Sequence, residues 1–387
     1  MKKICILGST GSIGVNLLNI LKKDLKNFQI ELLTANVAYK KILNQANFFK
    51  VKNIIITDYK SYLKVKKICK NKDINIYNNF FSLNKIFKKK KIDYTMNAIS
   101  GLNGLEPTLN IIPYTKKIAI ANKESIICGW SLILKKLKMN KTEFVPVDSE
   151  HFSIFSLIKD THKDNIEKVF ITASGGPFIS WPLHKFKSIK IKDALKHPNW
   201  KMGKKITIDS STMMNKIFEI IEAKKIFNYE YNKLSIITHP KSYVHAIVQF
   251  KNGLTKMLIH DTTMIIPIFN TLYPNYEKYI KPKKLNFEII NNLDFKSIDP
   301  IKFPLIKILD FLPKKDSLFE TILVAANDEL VNLFLKKKIN FSDISVNLLK
   351  IVKIREFDQF KRIIPKNVDE IKKLSKYVSL KVNSICI

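Results

Sequence analysis

Arginine is nearly absent from this chain. Arg355 and Arg362 are the only two among 67 basic residues, and with 33 acidic residues the formal net charge is +34. Proteins that read bases and phosphates lean on the bidentate guanidinium fork. Here lysine rises together with Ile, Asn, Tyr and Phe along the whole chain, which is compositional drift, so nucleic acid is excluded as the main partner. The runs Lys88 to Lys91 and Lys336 to Lys338 read as solvated helix ends and loops. The positive field does favour anionic substrates and cofactors. Cysteine is scarce as well: Cys5, Cys69, Cys128 and Cys386 are scattered, with no CxxC. That excludes a disulfide framework and fits a reducing compartment. No apolar run approaches the ~18 residues of a membrane span. Met1-Lys2-Lys3 passes straight into ICIL, without the look of a secretory leader. The expectation is a soluble, cytoplasmic protein with no membrane partner.

What is present has the size of two or three domains. Strand and helix patterns alternate through the first part: KICIL, a helix from Ile13 to about Leu25, IELLT, a helix near Tyr39 to Phe49, NIIIT. IDYTMNAI, a helix around Pro107 to Ile112, KIAIA, the segment Gly129 to Met139 and TEFVPV follow. This is the βαβ alternation of a doubly wound parallel sheet. The middle is mixed. KVFITAS, KITID and LSIIT read as strands, Ser153 to Leu157 and Thr212 to Phe227 as helices, and VHAIVQF with LTKMLIH as a hairpin around Lys251-Asn252-Gly253. A Pro- and Lys-rich stretch from Pro274 to Pro304 precedes a helical tail, and there is no internal repeat. The fold class is therefore α/β, with expected boundaries at 1–149 (parallel-sheet domain), 150–275 (α+β domain), 276–304 (linker) and 305–387 (helical bundle).

The polar residues change character between His197 and Glu222, HPNWKMGKKITIDSSTMMNKIFEIIE. Ser210, Ser211 and Thr212 stand where a helix is expected to begin. Asn215 and Glu219 are i,i+4 neighbours inside it, and Lys216 is i,i+3 from Glu219. An amide, an ammonium and a carboxylate on one face, beyond a hydroxyl-rich N-terminus, suit a phosphorylated, oxygen-rich molecule near a hard metal. An ordinary capped amphipathic helix fits the same residues. Gly8-Ser9-Thr10-Gly11-Ser12-Ile13-Gly14 follows the first strand and opens the first helix, where glycines let backbone approach a pyrophosphate. Its spacing is GxxGxxG and not the dehydrogenase GxGxxG. The second strand ends Leu33-Thr34-Ala35-Asn36 with no acid for the ribose 2′-OH of NAD, which leans toward NADP. Asn122-Lys123-Glu124-Ser125 follows KIAIA on the ligand-binding edge of the sheet. Asp148 and Glu150, i,i+2 after TEFVPV, can converge on one ion. With Glu219 they make an all-oxygen set suited to Mg²⁺ or Mn²⁺. Each segment equally suits a helix cap. Ser174-Gly175-Gly176-Pro177 is an N–H-rich turn able to nest a phosphate, and His197-Pro198-Asn199-Trp200 suits a mobile aromatic lid.

Taken together, GSTGSIG, ANKES, VPVDSEH, SGGPF, HPNWKMG and DSSTMMNK…E resemble the 1-deoxy-D-xylulose 5-phosphate reductoisomerases of non-mevalonate isoprenoid synthesis, in order and over essentially the whole chain. The resemblance implies a Rossmann-like NADPH domain, a central catalytic domain with a flexible lid, a C-terminal helical bundle and a homodimer. It implies a metal-dependent rearrangement of the sugar phosphate followed by reduction with NADPH to 2-C-methyl-D-erythritol 4-phosphate. Asp148, Glu150 and Glu219 would hold the cation (Mg²⁺, Mn²⁺ or Co²⁺). Ser174, Ser210, Asn215 and Lys216 would hold the substrate phosphate. Ser149, Lys123 and His197 would meet its oxygens, with Trp200 on the lid, and Lys123, Glu150 and His197 would be catalytic. Gly8, Thr10, Gly11, Ser12, Ile13, Asn122, Glu124, Gly203 and Met264 would line the cofactor. Two departures stand out. The family's Gly–basic–Asn triplet after the second strand reads Asn36-Val37-Ala38, with Lys40 or Lys41 as substitute cations. Its Met–Arg–x–Pro pattern reads Met264-Ile265-Ile266-Pro267.

Overall fold

The computed structural model describes residues 1–70, 73–88, 90–274 and 278–386. Residues 71 and 72, Lys89 of the lysine run, residue 275 at the expected end of the α+β domain, residues 276 and 277 at the expected start of the linker, and residue 387 lie outside the described residues. The chain divides into two units. The first comprises Met1–Ile126, Ser131–Asp148 and Met264–Ile280, and the second Ile127–Trp130, Ser149–Thr263 and Lys281–Ile387.

In the first unit, β1 (Lys2–Leu7), β2 (Phe28–Ala35), β3 (Asn53–Ile56), β4 (Asn75–Tyr77), β5 (Ile92–Asn97), β6 (Thr115–Ile120) and β7 (Glu143–Pro146) form one sheet. Its order is β4-β3-β2-β1-β5-β6-β7, and the pairings are parallel. Ile4, Cys5, Ile6 and Leu7 are wholly buried, the unbroken apolar run of a strand covered on both faces. The helix Ser12–Lys22 returns Leu17, Leu18, Ile20 and Leu21 to the same core. The chain winds outward from β1 to β4, then comes back to the other side of β1 as β5. That reversal opens a crevice beyond the carboxyl ends of β1 and β5, where open α/β sheets bind ligands. The helix Ile265–Leu272 joins this unit late in the sequence. Thr271 Oγ1 meets the Tyr94 hydroxyl at 2.8 Å, and Tyr273 donates to Asp24 at 2.7 Å.

The second unit holds β8 (Ile166–Ala173), β9 (Leu234–Thr238), β10 (Val244–Phe250), β11 (Thr255–Ile259) and β12 (Lys296–Ser297), in the order β11-β10-β8-β9-β12. β8 and β9 are parallel and the other pairs antiparallel. The helices Ser149–Leu157 and Met214–Phe227 cover it, burying Ile154, Ile220 and Ala223 against Val169, Ile171 and Val248. The tail is helical as expected: Phe319–Leu335, Phe341–Ile351 and Val368–Cys386. Among the described residues no helix is long and apolar enough to cross a membrane.

One segment corrects the sequence reading. KITID, expected as a strand from its β-branched Ile206, Thr207 and Ile208, belongs to the helix Lys204–Ser211. Tertiary context overrides propensity here. Ile208 is fully buried, and the hydroxyls of Thr207 and Ser211 donate one turn back, to the carbonyls of Gly203 and Thr207, both at 2.9 Å. The next helix begins only at Met214, after Met213 takes φ +68°. Ser210 and Ser211 therefore close one helix and do not open the next.

Candidate active site

At the β1–β5 crevice, Gly8 has φ +79°, and a Cβ there would stand 2.7 Å from the Ala98 carbonyl oxygen. Only glycine lets the two strand ends come this close. The Gly8 N–H donates to Thr34 Oγ1 at 2.9 Å, and Ser9 is held by the Thr34 carbonyl (3.0 Å) and by Gln45 (2.8 Å). Gly11 caps the Ser12–Lys22 helix without a side-chain bond. The leading N–H groups around Thr10, Gly11, Ser12 and Ile13 thus suit a pyrophosphate. Lys41 Nζ donates to the Thr10 carbonyl at 2.8 Å, while Lys40 is exposed. Beside them Asn36 and Val37 are exposed, and Asn36 Oδ1 accepts from Thr57. Asn122 is committed: its Oδ1 caps the helix Lys123–Asn140 through the Ser125 N–H at 2.5 Å, and its Nδ2 serves the carbonyls of Ile99 and Gly101. In the same unit Lys123 Nζ is hydrogen-bonded to Asp148 Oδ2. Glu124 is half-buried in the first turn of that helix, and Met264 packs partly buried against the unit's core. Ile265, where the resemblance leads one to expect arginine, is at the surface.

The peptide bond between Asp148 and Ser149 is also the boundary between the units. Glu150, in the first turn of Ser149–Leu157, is buried, and so is Glu219 in the middle of Met214–Phe227. Carboxylate oxygens of Asp148, Glu150 and Glu219 lie within 4.8 Å of one another. Lys216 Nζ sits between two of them, 2.7 Å from Glu150 Oε1 and 2.7 Å from Glu219 Oε2. Burial opposes the charge on Lys216, yet the two glutamates outweigh it and hold its pKa above the ordinary lysine value. Ser149 Oγ donates to Glu150 Oε2 and Asn215 Nδ2 to Glu219 Oε1, each at 2.5 Å. His151, to which sequence reading gave no role, is wholly buried and meets the Glu219 carbonyl at 2.9 Å. It ties the two glutamate-bearing helices together. Only its place beside Glu150 in DSEH could have drawn attention to it.

In the second unit a hydroxyl–imidazole pair lies on the turn after β8. His197 Nδ1 accepts from the N–H groups of Asn199 (3.1 Å) and Trp200 (2.9 Å). This fixes the proton on Nε2, 3.0 Å from Ser174 Oγ. Ser174 Oγ also accepts from the Gly176 N–H at 3.1 Å, which leaves its own proton to donate. Desolvation first, and then Lys216, push His197 down to about 4, against the pull of Glu150. Gly176 has φ +64°, and a Cβ there would reach 2.9 Å from the Ser210 carbonyl. The SGG turn thereby lies against the end of the Lys204–Ser211 helix, with Gly203 at that helix's N-cap. Asn199, another residue without an expected role, anchors the HPNW turn to the Pro240 carbonyl (2.6 Å) and to Ser242 (2.9 Å). Trp200 stands edge-on to His245, which stacks on His260 with ring centroids 3.7 Å apart. Burial lowers His245 to about 4 and lowers His260 too. For all three imidazoles the folded pKa lies below the unfolded value, and at His197 and His245 the unfolded chain binds more protons between about pH 6.5 and 4. Thermal unfolding should accordingly show stability falling as pH drops through that window. A Tm unchanged from pH 7 to 4.5 would contradict the burial of these rings.

Comparison with known proteins points one way. Residues 4–129 match the family model described as 1-deoxy-D-xylulose 5-phosphate reductoisomerase, residues 144–227 its C-terminal domain model, and residues 260–379 the DXP reductoisomerase C-terminal domain. The reductoisomerase of Pelagibacter ubique is 62% identical over 100% of both chains, and that of Clostridium kluyveri is 40% identical over 89% of this chain and 90% of its own. The solved Zymomonas mobilis enzyme in complex with NADPH superposes with a TM-score of 0.88 at 29% identity, covering 100% of this chain and 99% of that one. A reductoisomerase crystal structure with NADPH, fosmidomycin and magnesium gives 0.88 at 29% identity, covering 100% and 97%. With the glycine turn, the three carboxylates and the Ser174–His197 pair in place, the chain belongs to the 1-deoxy-D-xylulose 5-phosphate reductoisomerase family.

Proposed function

We propose that Asp148, Glu150 and Glu219 hold a divalent cation, that Ser174, Ser210, Asn215 and Lys216 receive the substrate phosphate, and that Lys123, Ser149 and His197 meet its remaining oxygens. The activity they serve is NADPH-dependent conversion of 1-deoxy-D-xylulose 5-phosphate to 2-C-methyl-D-erythritol 4-phosphate, in isoprenoid precursor synthesis. The observation that carries the reading is the cluster of three carboxylates with a buried ammonium between two of them. Three acids within this distance fit an oxygen-ligated hard cation. When bound, the cation supplies Lewis acidity toward the substrate's ketone and the dinucleotide supplies the hydride.

The chain's own residues do the rest. Lys216 balances Glu150 and Glu219, and it can turn to a phosphate once their charge is otherwise met. Ser174 donates to the same phosphate, because neutral His197 and the Gly176 N–H fill its acceptor sites. Besides holding Ser174, the Nε2 proton of His197 can be shared with a substrate oxygen. Lys123 places an ammonium on Asp148. Trp200, tied to His197 through its own N–H, moves with the imidazole and excludes water when the turn closes. The first unit is read as the cofactor domain, with Gly8, Thr10, Gly11, Ser12, Ile13, Asn122, Glu124 and Met264 lining it. The remainder is read as catalytic and helical domains, in a cytoplasmic homodimer.

NADPH selection falls to Lys40 in this reading, since Lys41 is spent on the Thr10 carbonyl and residue 37 is valine. Lys40→Ala should raise KM for NADPH about tenfold or more, the size of one charge-assisted phosphate contact, and leave KM for NADH unchanged. Equal effects on both would remove Lys40 from the 2′-phosphate. The function itself is tested by following NADPH oxidation with 1-deoxy-D-xylulose 5-phosphate and Mn²⁺. Turnover that disappears with chelator supports it, and no turnover with either dinucleotide refutes it.

A further inference from the structure

The helix Phe319–Leu335 is apolar along most of its length, yet it carries Glu320, Asn327 and Asp328. Glu320 and Asn327 are i,i+7, so they share one face two turns apart. Asn327 is wholly buried, and its Nδ2 donates to Asp209 Oδ1 at 2.8 Å. Asp209, 1% exposed, also receives Lys205 Nζ on Oδ2 at 3.0 Å. Lys205 reaches on to Asp328 at 2.9 Å, and its ammonium lies 5.0 Å from the ring centroid of Phe218. Two turns earlier Glu320 Oε1 pairs with Lys225 at 3.1 Å, and Lys225 with Asp316 at 2.7 Å. Lys225 and Phe218 both stand on the helix that carries Asn215, Lys216 and Glu219. One tail helix therefore grips both helices of the site through buried polar pairs. The Asp209 pair lies one residue before Ser210, whose carbonyl is pressed against the Gly176 turn from the other side. Among the described residues Asn327 Oδ1 has no hydrogen-bond partner, so the amide contributes its donor alone.

We infer that Asn327 and Asp209 are positioning residues for the substrate phosphate. Their buried amide–carboxylate bond sets the last turn of Lys204–Ser211, and so the direction of Ser210. This rests on the reading of Ser210 as a phosphate ligand. Neither residue touches substrate. A merely structural role would lower stability without a selective effect on one substrate, so the test is a reciprocal swap read by kinetics.

Asn327→Asp sets two carboxylates face to face in the interior. It should raise KM for 1-deoxy-D-xylulose 5-phosphate about tenfold or more while KM for NADPH stays put. The double variant Asp209→Asn with Asn327→Asp rebuilds the bond in reverse and should bring KM back to within about threefold of the original. Ser210→Ala is measured alongside. If Ser210→Ala leaves substrate KM unchanged, the phosphate reading of Ser210 fails and this inference with it. If Ser210→Ala raises KM but Asn327→Asp does not, the inference alone fails. It fails too if Asn327→Asp raises KM and the swap does not restore it. Should Asn327→Asp not fold, the swap decides. A folded swap with near-original KM supports the inference, and a folded swap with KM raised, or a swap that also does not fold, overturns it.

Discussion

Glu219→Gln should abolish cation-dependent turnover, lowering kcat by about 10³-fold or more while dinucleotide binding is unchanged. Lewis-acid stabilisation amounts to several kcal/mol, and each 1.36 kcal/mol is tenfold in rate. The substitution keeps the shape of the side chain and an oxygen for Asn215, which donates to Oε1 at 2.5 Å. It removes the negative charge that both Lys216 and a cation require. Glu219 is 1% exposed, so bulk water does not screen the change in charge. Steady-state kinetics over a Mn²⁺ titration, with NADPH binding followed by fluorescence, separates the two effects. Activity within a few-fold of the unaltered chain at saturating Mn²⁺ would take Glu219 out of the ligand set.

Lys216→Met has the second large effect, and it acts on stability and on activity through the same charge. Lys216 is the ammonium between Glu150 and Glu219, and its side chain is 10% exposed. Removing it leaves buried carboxylates uncompensated, a loss of about 3–5 kcal/mol. A divalent cation among the same acids restores the balance. Mn²⁺ should therefore raise the Tm of Lys216→Met clearly more than that of the unaltered chain, although turnover stays low because the phosphate has lost its ammonium. Equal Tm shifts in both would mean that the cation binds elsewhere. The sign of the lysine's own shift agrees with this: with its pKa held above the ordinary value, its stabilising contribution is complete at neutral pH and declines only when alkaline pH titrates it.

The sequence carried the first unit's architecture in plain form, because parallel strands buried on both faces are written as uninterrupted apolar runs. Ile4 to Leu7 and Ile54 to Ile56 are such runs, and the glycine turn fell where β1 meets its helix. β4 left no such signal: Asn75–Tyr77 is short and only partly buried. The candidate acids were legible because Asp148 and Glu150 are close in sequence and Glu219 shares a helix face with Asn215 and Lys216. The helix Lys204–Ser211 was not, since Ile-Thr-Ile alternation is the same in a strand and in a buried helical turn. Nor could spacing reveal what holds the site from behind. Asp209 with Asn327, and Lys225 with Glu320, are each joined across long stretches of chain by burial alone. Their polar character within apolar helices was the available trace.

The most direct test of the central claim is to crystallise the protein with Mn²⁺ and record anomalous scattering at the manganese edge. The expected result is one strong peak per chain, within coordination distance of carboxylate oxygens from Asp148, Glu150 and Glu219, with Lys216 turned from its present place between the two glutamates. A peak bounded by other residues, or none at saturating Mn²⁺ while turnover still depends on the metal, would contradict the assignment.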